Sequence, residues 1–367
     1  MKNKFSMLTI AIAASLGLVA CGGTTESAGD NIKIGMMTDS GTIDDKSFNQ
    51  ATWEGIKRYE SENGTIVAQY IKPIGETTAD YMQAADDLIT AGNQMIIAPG
   101  FKFDEAITKL QEQYPDIKFV MIDGQPEEVA ENTIAIYFAE HEAGFLAGIT
   151  AALETKTGKV GFIGGMKSES IEKFGYGYVA GVAYANKHFG TNAEVVDYLY
   201  NGTFTDVAGG QAQAGSMYDK GIDIIFTAAG RVGSGVITEA KTRTEAGDKV
   251  YVIGVDVDQY EDGIYNQETN ESVILTSALK RVENASYTKV DEFINGTFTG
   301  GEVITMTAEV DGVGLPETNP NLTTETQETV NELLANIKAG NLVIPSTEAD
   351  VQSFLSEMGY QGAKINF

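Results

Sequence analysis

Residues 95–124 read MIIAPGFKFDEAITKLQEQYPDIKFVMIDG. Two short apolar runs, at 95–98 and 118–122, flank an amphipathic stretch at 103–113. Short apolar runs bounded by turn residues are typical of buried strands, and the longer amphipathic stretch is typical of a helix. The order strand, helix, strand predicts two parallel strands with the helix packed on one face of their sheet.

The same alternation extends in both directions from this unit. The first part of the chain predicts further strands at 32–38, 65–71 and 133–137, and helices at 47–61 and 78–91. Ser47 and Gln50 have the spacing of a capping box at the start of the helix at 47–61. This part of the chain therefore predicts a mainly parallel sheet with helices on both faces.

The pattern restarts after a predicted helix at 143–154. Strands with helices between them are predicted at 159–163, 194–199, 223–226 and 251–255. We expect the chain to return to the first unit at 273–277 and along a helix at 282–294. A third crossing near 300–306 would leave the helix at 324–339 on the second unit.

These patterns predict an α/β fold with two doubly wound parallel-sheet lobes joined by a multi-strand hinge, since one core seldom covers 367 residues. The predicted boundaries are 31–140 plus 260–299 for the first lobe, and 141–259 plus 300–367 for the second.

The N-terminus has the features of an export signal. Lys2 and Lys4 precede an apolar run at 7–19. That run is shorter than the roughly 20 residues that a membrane-spanning helix needs. It predicts a signal peptide at 1–20 instead.

A single cysteine follows this signal. Residues 18–21 read Leu-Val-Ala-Cys and match a lipobox, in which a diacylglycerol is attached to Cys21. The Gly/Ser/Thr-rich stretch at 21–30 predicts a flexible, lipidated tether. We expect a lipoprotein held at the cell membrane on its extracytoplasmic face.

The composition limits the ligand classes. The formal net charge is −27, and loss of Lys2 and Lys4 with the signal peptide would make it −29. So acidic a surface repels phosphates, which disfavours nucleic acids and nucleotides as ligands. With one cysteine in the chain, disulfides within it and thiolate metal sites are excluded. We expect neither a metal nor a cofactor.

Polar residues follow the predicted strands at the edge where open α/β sheets bind ligands. They include Asp39, Asp123, Asp256 and Lys280, and the Gly-rich segment at 228–235. Carboxylates, an amine, glycines and nearby aromatic rings suit a flat, hydroxylated, uncharged molecule.

An enzymatic function is the less favoured interpretation of these residues, because the usual catalytic and cofactor motifs are missing. The first predicted strand is not followed by G-x-G-x-x-G, and no G-x-S-x-G elbow occurs. His141 and His188 are the two histidines, and neither lies in a recognisable triad. Residues 256–258, Asp-Val-Asp, lack the pattern of an EF-hand loop.

Five sequence blocks occur in a characteristic order: Asp45-Lys46-Ser47-Phe48-Asn49-Gln50, Trp53-Glu54-Gly55, Phe145-Leu146-Ala147-Gly148, Gly254-Val255-Asp256 and Thr276-Ser277-Ala278-Leu279-Lys280. In combination and in this order, they resemble the basic membrane protein family. The resemblance covers nearly all of the chain after the tether. It implies the clamshell fold of a type I periplasmic binding protein, similar to the purine nucleoside receptor A type. The expected protein is a monomer that delivers purine nucleosides to an ABC transporter permease and its ATPase.

The resemblance also implies roles for individual residues. Phe48 and Phe204 would sandwich the base from opposite lobes, and Asp123 would accept hydrogen bonds from its polar edge. The other implied contacts are Asp39 and Asn49 near the first lobe's strand end, Asp256 and Lys280 on hydroxyl groups, and Gly230 where the backbone approaches the ligand.

Other interpretations of these residues stay open at this point. Phe48 could be core, and Phe174 and Phe226 are rival rings in the second lobe. Asp39 and Asp123 could cap helices or turns, and Lys280 could be a solvated helix charge. A binding protein for a sugar or a signal molecule is the nearer functional alternative.

Overall fold

The computed structural model describes residues 32–360 and Gly362. The predicted signal peptide at 1–20, the tether at 21–30 and the lipidation site Cys21 lie outside these residues. Within 32–360, no helix combines the length and the apolarity that crossing a membrane requires.

Strands and helices alternate along most of the chain, as predicted. The first eight elements are β1 (Ile32–Met37), α1 (Phe48–Asn63), β2 (Ile66–Ile71), α2 (Thr78–Thr90), β3 (Asn93–Pro99), α3 (Asp104–Gln113), β4 (Lys118–Ile122) and β5 (Thr133–Phe138). The next eleven are α4 (Glu140–Glu154), β6 (Lys159–Gly164), α5 (Glu169–Phe189), β7 (Glu194–Tyr200), α6 (Val207–Asp219), β8 (Ile224–Ala228), α7 (Arg231–Glu245), β9 (Tyr251–Asp256), β10 (Ile264–Asn266), β11 (Glu271–Ser272) and β12 (Ile274–Lys280). The last five are α8 (Val282–Ile294), β13 (Glu302–Met306), β14 (Val313–Gly314), α9 (Thr324–Lys338) and α10 (Glu348–Met358).

Twelve of the fourteen described strands form two six-stranded sheets, each at the centre of one lobe, and β10 and β11 form a separate two-stranded antiparallel sheet. The first lobe's sheet has the order β13-β5-β4-β3-β1-β2 and is parallel throughout. The second lobe's sheet has the order β14-β12-β9-β8-β6-β7, and only β14 is antiparallel to its neighbour. In each sheet, five parallel strands lie in the same spatial order when they are numbered along the chain. This arrangement confirms the predicted α/β class with two parallel-sheet lobes.

The sheet pairings of β12 and β13 depart from the predicted lobe boundaries. β12, placed by the prediction in the first lobe with residues 260–299, pairs with β9 in the second. β13, placed in the second lobe with residues 300–367, pairs with β5 in the first. β12 is buried at every position, as befits an interior strand, whereas β13 is an exposed edge strand. The choice of sheet depends on these distant partners, which the local pattern does not specify.

Two helices of the second lobe approach each other closely and so position part of the cleft. A Cβ atom on Gly144 in α4 would lie 2.2 Å from the carbonyl oxygen of Phe174 in α5. The lack of a side chain at Gly144 therefore allows the contact. It brings Glu140, the first residue of α4, beside Ser170 in the first turn of α5.

Candidate functional site

A cavity with about 660 Å³ of free space is lined by residues of both lobes. The structure brings to its wall all eight residues that the sequence singled out, namely Asp39, Phe48, Asn49, Asp123, Phe204, Gly230, Asp256 and Lys280. The cavity lies at the carboxyl ends of strands, where ligands bind in open α/β sheets.

Two aspartates occupy equivalent places in the two sheets. Asp123 follows β4 with a φ of 60°, and Asp256 ends β9 with a φ of 66°. The left-handed region is uncommon for residues other than glycine, although Asp and Asn tolerate it better than most. The backbone at both strand ends is held in this conformation, and both residues line the cavity.

The start of α1 is capped by Asp45, so the predicted capping box of Ser47 and Gln50 is wrong. The Asp45 carboxylate accepts hydrogen bonds from the backbone N–H groups of Ser47, Asn49 and Gln50, at 3.0, 3.1 and 3.1 Å. Burial raises the pKa of Asp45, and these bonds offset part of the rise. The Ser47 hydroxyl is thereby free to donate to the Asp256 carboxylate of the second lobe.

Asn49 holds a second carboxylate of the first lobe in place. Its side-chain nitrogen donates to Asp39 and to Asp45, both at 2.8 Å, and its side-chain oxygen accepts from the Asp39 N–H at 3.2 Å. Burial raises the pKa of Asp39, while bonds from Gly41 and Asn49 lower it. Asp39 and Asn49 therefore form one fixed polar wall.

Aromatic rings face the cavity from both lobes. Phe48, at the start of α1, and Phe204, after β7, are both partly buried. Of the rival rings, Phe174 lines the cavity but is only 1% exposed, and Phe226 is fully buried and outside the lining. Phe204 is therefore the second-lobe ring with the most accessible surface at the cavity.

The Phe204 ring lies directly on a glycine that the sequence analysis did not single out. A Cβ atom on Gly165, just after β6, would lie 2.3 Å from the Cδ1 atom of Phe204. Such a contact is too short to be tolerated without movement of the ring. Gly165 thus provides the space in which the ring sits.

Lys280 is a buried cation at the end of β12, and the interpretation of it as a solvated helix charge was wrong. Its side chain is 2% exposed. It forms ion pairs with Asp123 and, at 3.0 Å, with Glu140, and it donates to Ser170 at 2.8 Å. Its ammonium lies 5.0 Å from the centre of the Phe48 ring, within the range of a cation–π contact.

The charged groups around Lys280 shift one another's pKa values. Burial alone would lower the pKa of Lys280, but Asp123, Glu140 and Asp256 raise it above its usual range, so the amine stays protonated. Burial raises the pKa of Glu140, and Lys280 offsets only part of that rise. Burial likewise raises the pKa of Asp256 to about 6, against the attraction of Lys280 and the bond from Ser47.

The cavity wall carries more anionic than cationic side chains. One oxygen of Asp123 is buried there without a protein partner. Among the charged residues of the lining, four are aspartates, at 39, 45, 123 and 256, and two are cations, Lys280 and Arg231. A ligand that donates hydrogen bonds suits this wall. No group of three or more His, Cys, Asp or Glu side chains in the described part of the chain is arranged to hold a metal ion.

Comparison with known proteins identifies the type of protein. A family model described as Bmp, ABC transporter substrate-binding protein PnrA-like, matches residues 32–348. The chain belongs to this family. It is therefore an extracytoplasmic substrate-binding protein of an ABC transporter, with a permease and an ATPase as partners, and not an enzyme. The family resemblance of the sequence blocks is confirmed.

Individual relatives agree with the family. The chain is 34% identical to the CD4+ T-cell-stimulating antigen of Listeria innocua, over 94% of this chain and 99% of that one. It is 32% identical to the ABC transporter nucleoside-binding protein BmpA of Lactococcus lactis, over the same shares of the two chains. A solved ABC transporter solute-binding protein from Aeropyrum pernix superposes with a TM-score of 0.75 at 25% identity, covering 89% of this chain and 97% of the other.

Proposed function

We propose that this Bmp protein binds purine nucleosides between its lobes and delivers them to its permease. The observation that carries the proposal is the pair of partly buried rings, Phe48 and Phe204, which line one cavity from opposite lobes. A planar base between two rings would stack on both faces. The 32% identity to a relative named as nucleoside-binding supports the same ligand class.

The polar wall suits the rest of a nucleoside. The unpaired oxygen of Asp123 would accept a hydrogen bond from an N–H group of the base. Asp256 and Lys280 would bond ribose hydroxyls, while Asp39 and Asn49 would contact the ligand from the first lobe. Gly230, with a φ of 55°, would allow the backbone close to the ligand.

The energies allow micromolar binding when the individual contacts are stronger than average. Each base–aromatic stack contributes roughly 1–3 kcal/mol, and each hydrogen bond to a charged group about 1.5–3 kcal/mol. Two stacks and three such bonds total about 11 kcal/mol at the middle of these ranges and about 15 kcal/mol at their top. A micromolar complex needs about 8 kcal/mol net, and association costs at least about 4 kcal/mol, so the contacts must total about 12 kcal/mol or more.

Thermal unfolding with a panel of ligands tests this function. Guanosine, inosine or adenosine should raise the melting temperature, because a ligand that binds only the folded state stabilises it. Ribose alone should do little, since it leaves both rings without a partner. Equal stabilisation by ribose and by the nucleosides would rule out the base sandwich and favour a sugar-binding protein.

We also propose that the protein is a monomer anchored through a lipid on Cys21. A diacylated N-terminus gives stable membrane attachment, whereas one acyl chain alone is reversible. Cys21→Ala should remove the lipid mass from the mature protein and move it out of the acylated membrane fraction. Unchanged lipid labelling of this variant would exclude Cys21 as the site.

A further inference from the structure

Two blocks of the family resemblance contain residues that do not line the cavity. Gly254 and Ser277 belong to these blocks, and both support Gln259. The Gln259 backbone N–H donates to the Ser277 hydroxyl at 3.1 Å, and its side-chain oxygen accepts from the Val255 N–H at 3.0 Å. A Cβ atom on Gly254 would lie 2.4 Å from that oxygen. Gly254, Val255 and Ser277 of the second lobe therefore fix the position of Gln259, which is 3% exposed.

The other end of this amide reaches the first lobe. The Gln259 side-chain nitrogen donates to the backbone carbonyl of Lys46 at 2.9 Å, across 213 residues of chain. Lys46 has a φ of 61°, a left-handed conformation that costs energy for a residue with a long side chain. Gln259 itself is outside the lining of the cavity.

Neighbouring contacts join the same two segments. Ser47 donates to Asp256, and the Lys46 ammonium lies 3.6 Å from Asp262. The Lys46 and Asp262 side chains are 54% and 31% exposed, so this ion pair contributes little. The hydrogen bond from the Gln259 side chain to the Lys46 carbonyl has a buried donor, and its loss would leave polar groups without partners. It is therefore the stronger of the two contacts outside the cavity, the other being the Lys46–Asp262 ion pair.

We propose that Gln259 is a positioning residue that latches the two lobes together through the Lys46 carbonyl and so sets ligand affinity without touching the ligand. Residues 46–48 carry Phe48 into the cleft, and the latch holds them against the second lobe. Apparent affinity scales with the fraction of molecules in the binding-competent state. Loss of the latch therefore weakens binding and speeds release, with every ligand contact intact. The affinity part of this inference rests on the proposed nucleoside function.

The test compares Gln259→Glu with Gln267→Glu in the full chain. Glutamate at 259 keeps the acceptor for Val255 and loses the donor for Lys46. Gln267 is exposed in the same lobe, so its variant carries the same added charge without the contact. Gln259→Met, a neutral residue of similar length, replaces the glutamate variant if the buried charge prevents folding.

Two readouts separate the latch from the proposed function. Spin labels on Glu112→Cys and Glu245→Cys, at exposed positions of α3 and α7 in a Cys21→Ala background, report the distance between the lobes. The latch variants should show longer distances without ligand and about a tenfold higher Kd for guanosine, and Gln267→Glu should match the parent in both. Parental distances and Kd in both latch variants would overturn the proposal. If the parent binds no nucleoside, the proposed function fails, and the ligand-free distances still decide on the latch.

Discussion

The Ser47 hydroxyl of the first lobe donates a hydrogen bond to the Asp256 carboxylate of the second, across 209 residues of chain. The bond connects Ser47, the residue that precedes α1, to the end of β9 at the wall of the cavity. It also favours the ionised form of a carboxyl group whose pKa burial raises to about 6. The contact between the two lobes at Ser47 and the ionisation of Asp256 are therefore coupled.

Nucleoside affinity should depend on pH through Asp256. Ligand hydroxyls bond more strongly to a carboxylate than to a carboxylic acid, so binding favours the ionised form. The affinity should therefore fall as the pH drops from 7.5 through 6 to 5, and be constant above about 7. Titration calorimetry over this range measures it. Asp256→Asn, which tolerates the positive φ, should bind more weakly and lose most of the pH dependence. Equal slopes in the two proteins would assign the effect to another group.

Lys280→Met should destabilise the fold in a pH-dependent way. The variant leaves Asp123 and Glu140 buried without their cation, and breaking a buried pair costs about 3–5 kcal/mol. The pKa of Glu140, already raised by burial, would rise further in the folded state. The deficit in unfolding free energy should then be largest at pH 8 and shrink toward pH 5, where proton uptake neutralises Glu140 in the folded state.

Denaturant unfolding at both pH values measures this deficit, and Lys280→Met with Glu140→Gln should recover part of it at pH 8. A deficit that is the same at pH 5 and pH 8 would mean that lost packing, and not uncompensated charge, is the cause.

Phe48→Ala and Phe204→Ala should each weaken nucleoside binding by roughly 1–3 kcal/mol, the value of one base–aromatic stack. Phe354→Ala, which truncates a partly buried ring away from the cavity, is the matched control and should leave the Kd unchanged. An unaltered Kd in Phe48→Ala would assign that ring to packing. If Phe174→Ala has the larger effect while Phe204→Ala has none, the second-lobe ring has been misassigned.

Gly165→Ala should lower affinity with little loss of stability. The added methyl group would displace the Phe204 ring, whose Cδ1 atom would otherwise lie 2.3 Å away. Because that ring is only partly buried, it can move without opening the core. The drop in affinity should approach that of Phe204→Ala. Gly215→Ala in α6, where a Cβ meets nothing closer than 3.3 Å, should bind like the parent in the same titration.

Much of the fold follows from local pattern. The unit β3-α3-β4 was predicted within two residues at each boundary, because apolar runs and an amphipathic stretch mark it clearly. The cavity residues were predictable for a related reason, since parallel strands deliver their final residues to one edge. The sequence blocks of the family then selected Phe48 and Lys280 from other residues near strand ends.

The remaining features depend on partners far along the chain. The local sequence pattern of β12 and of β13 does not indicate which sheet each strand joins. Glu140 gave no signal, because its role beneath Lys280 arises only when α4 packs on α5. The cap of α1 was misassigned because Asp45 competes with Ser47 for the same backbone N–H groups, and Ser47 has a better partner in Asp256.

Titration calorimetry of guanosine, inosine and adenosine against ribose tests the nucleoside assignment most directly. We expect at least one nucleoside to bind one per chain with a micromolar or lower Kd, and ribose to give no measurable heat at the same concentration. Ribose binding as tightly as every nucleoside, or a full panel of nucleosides without heat, would contradict the account.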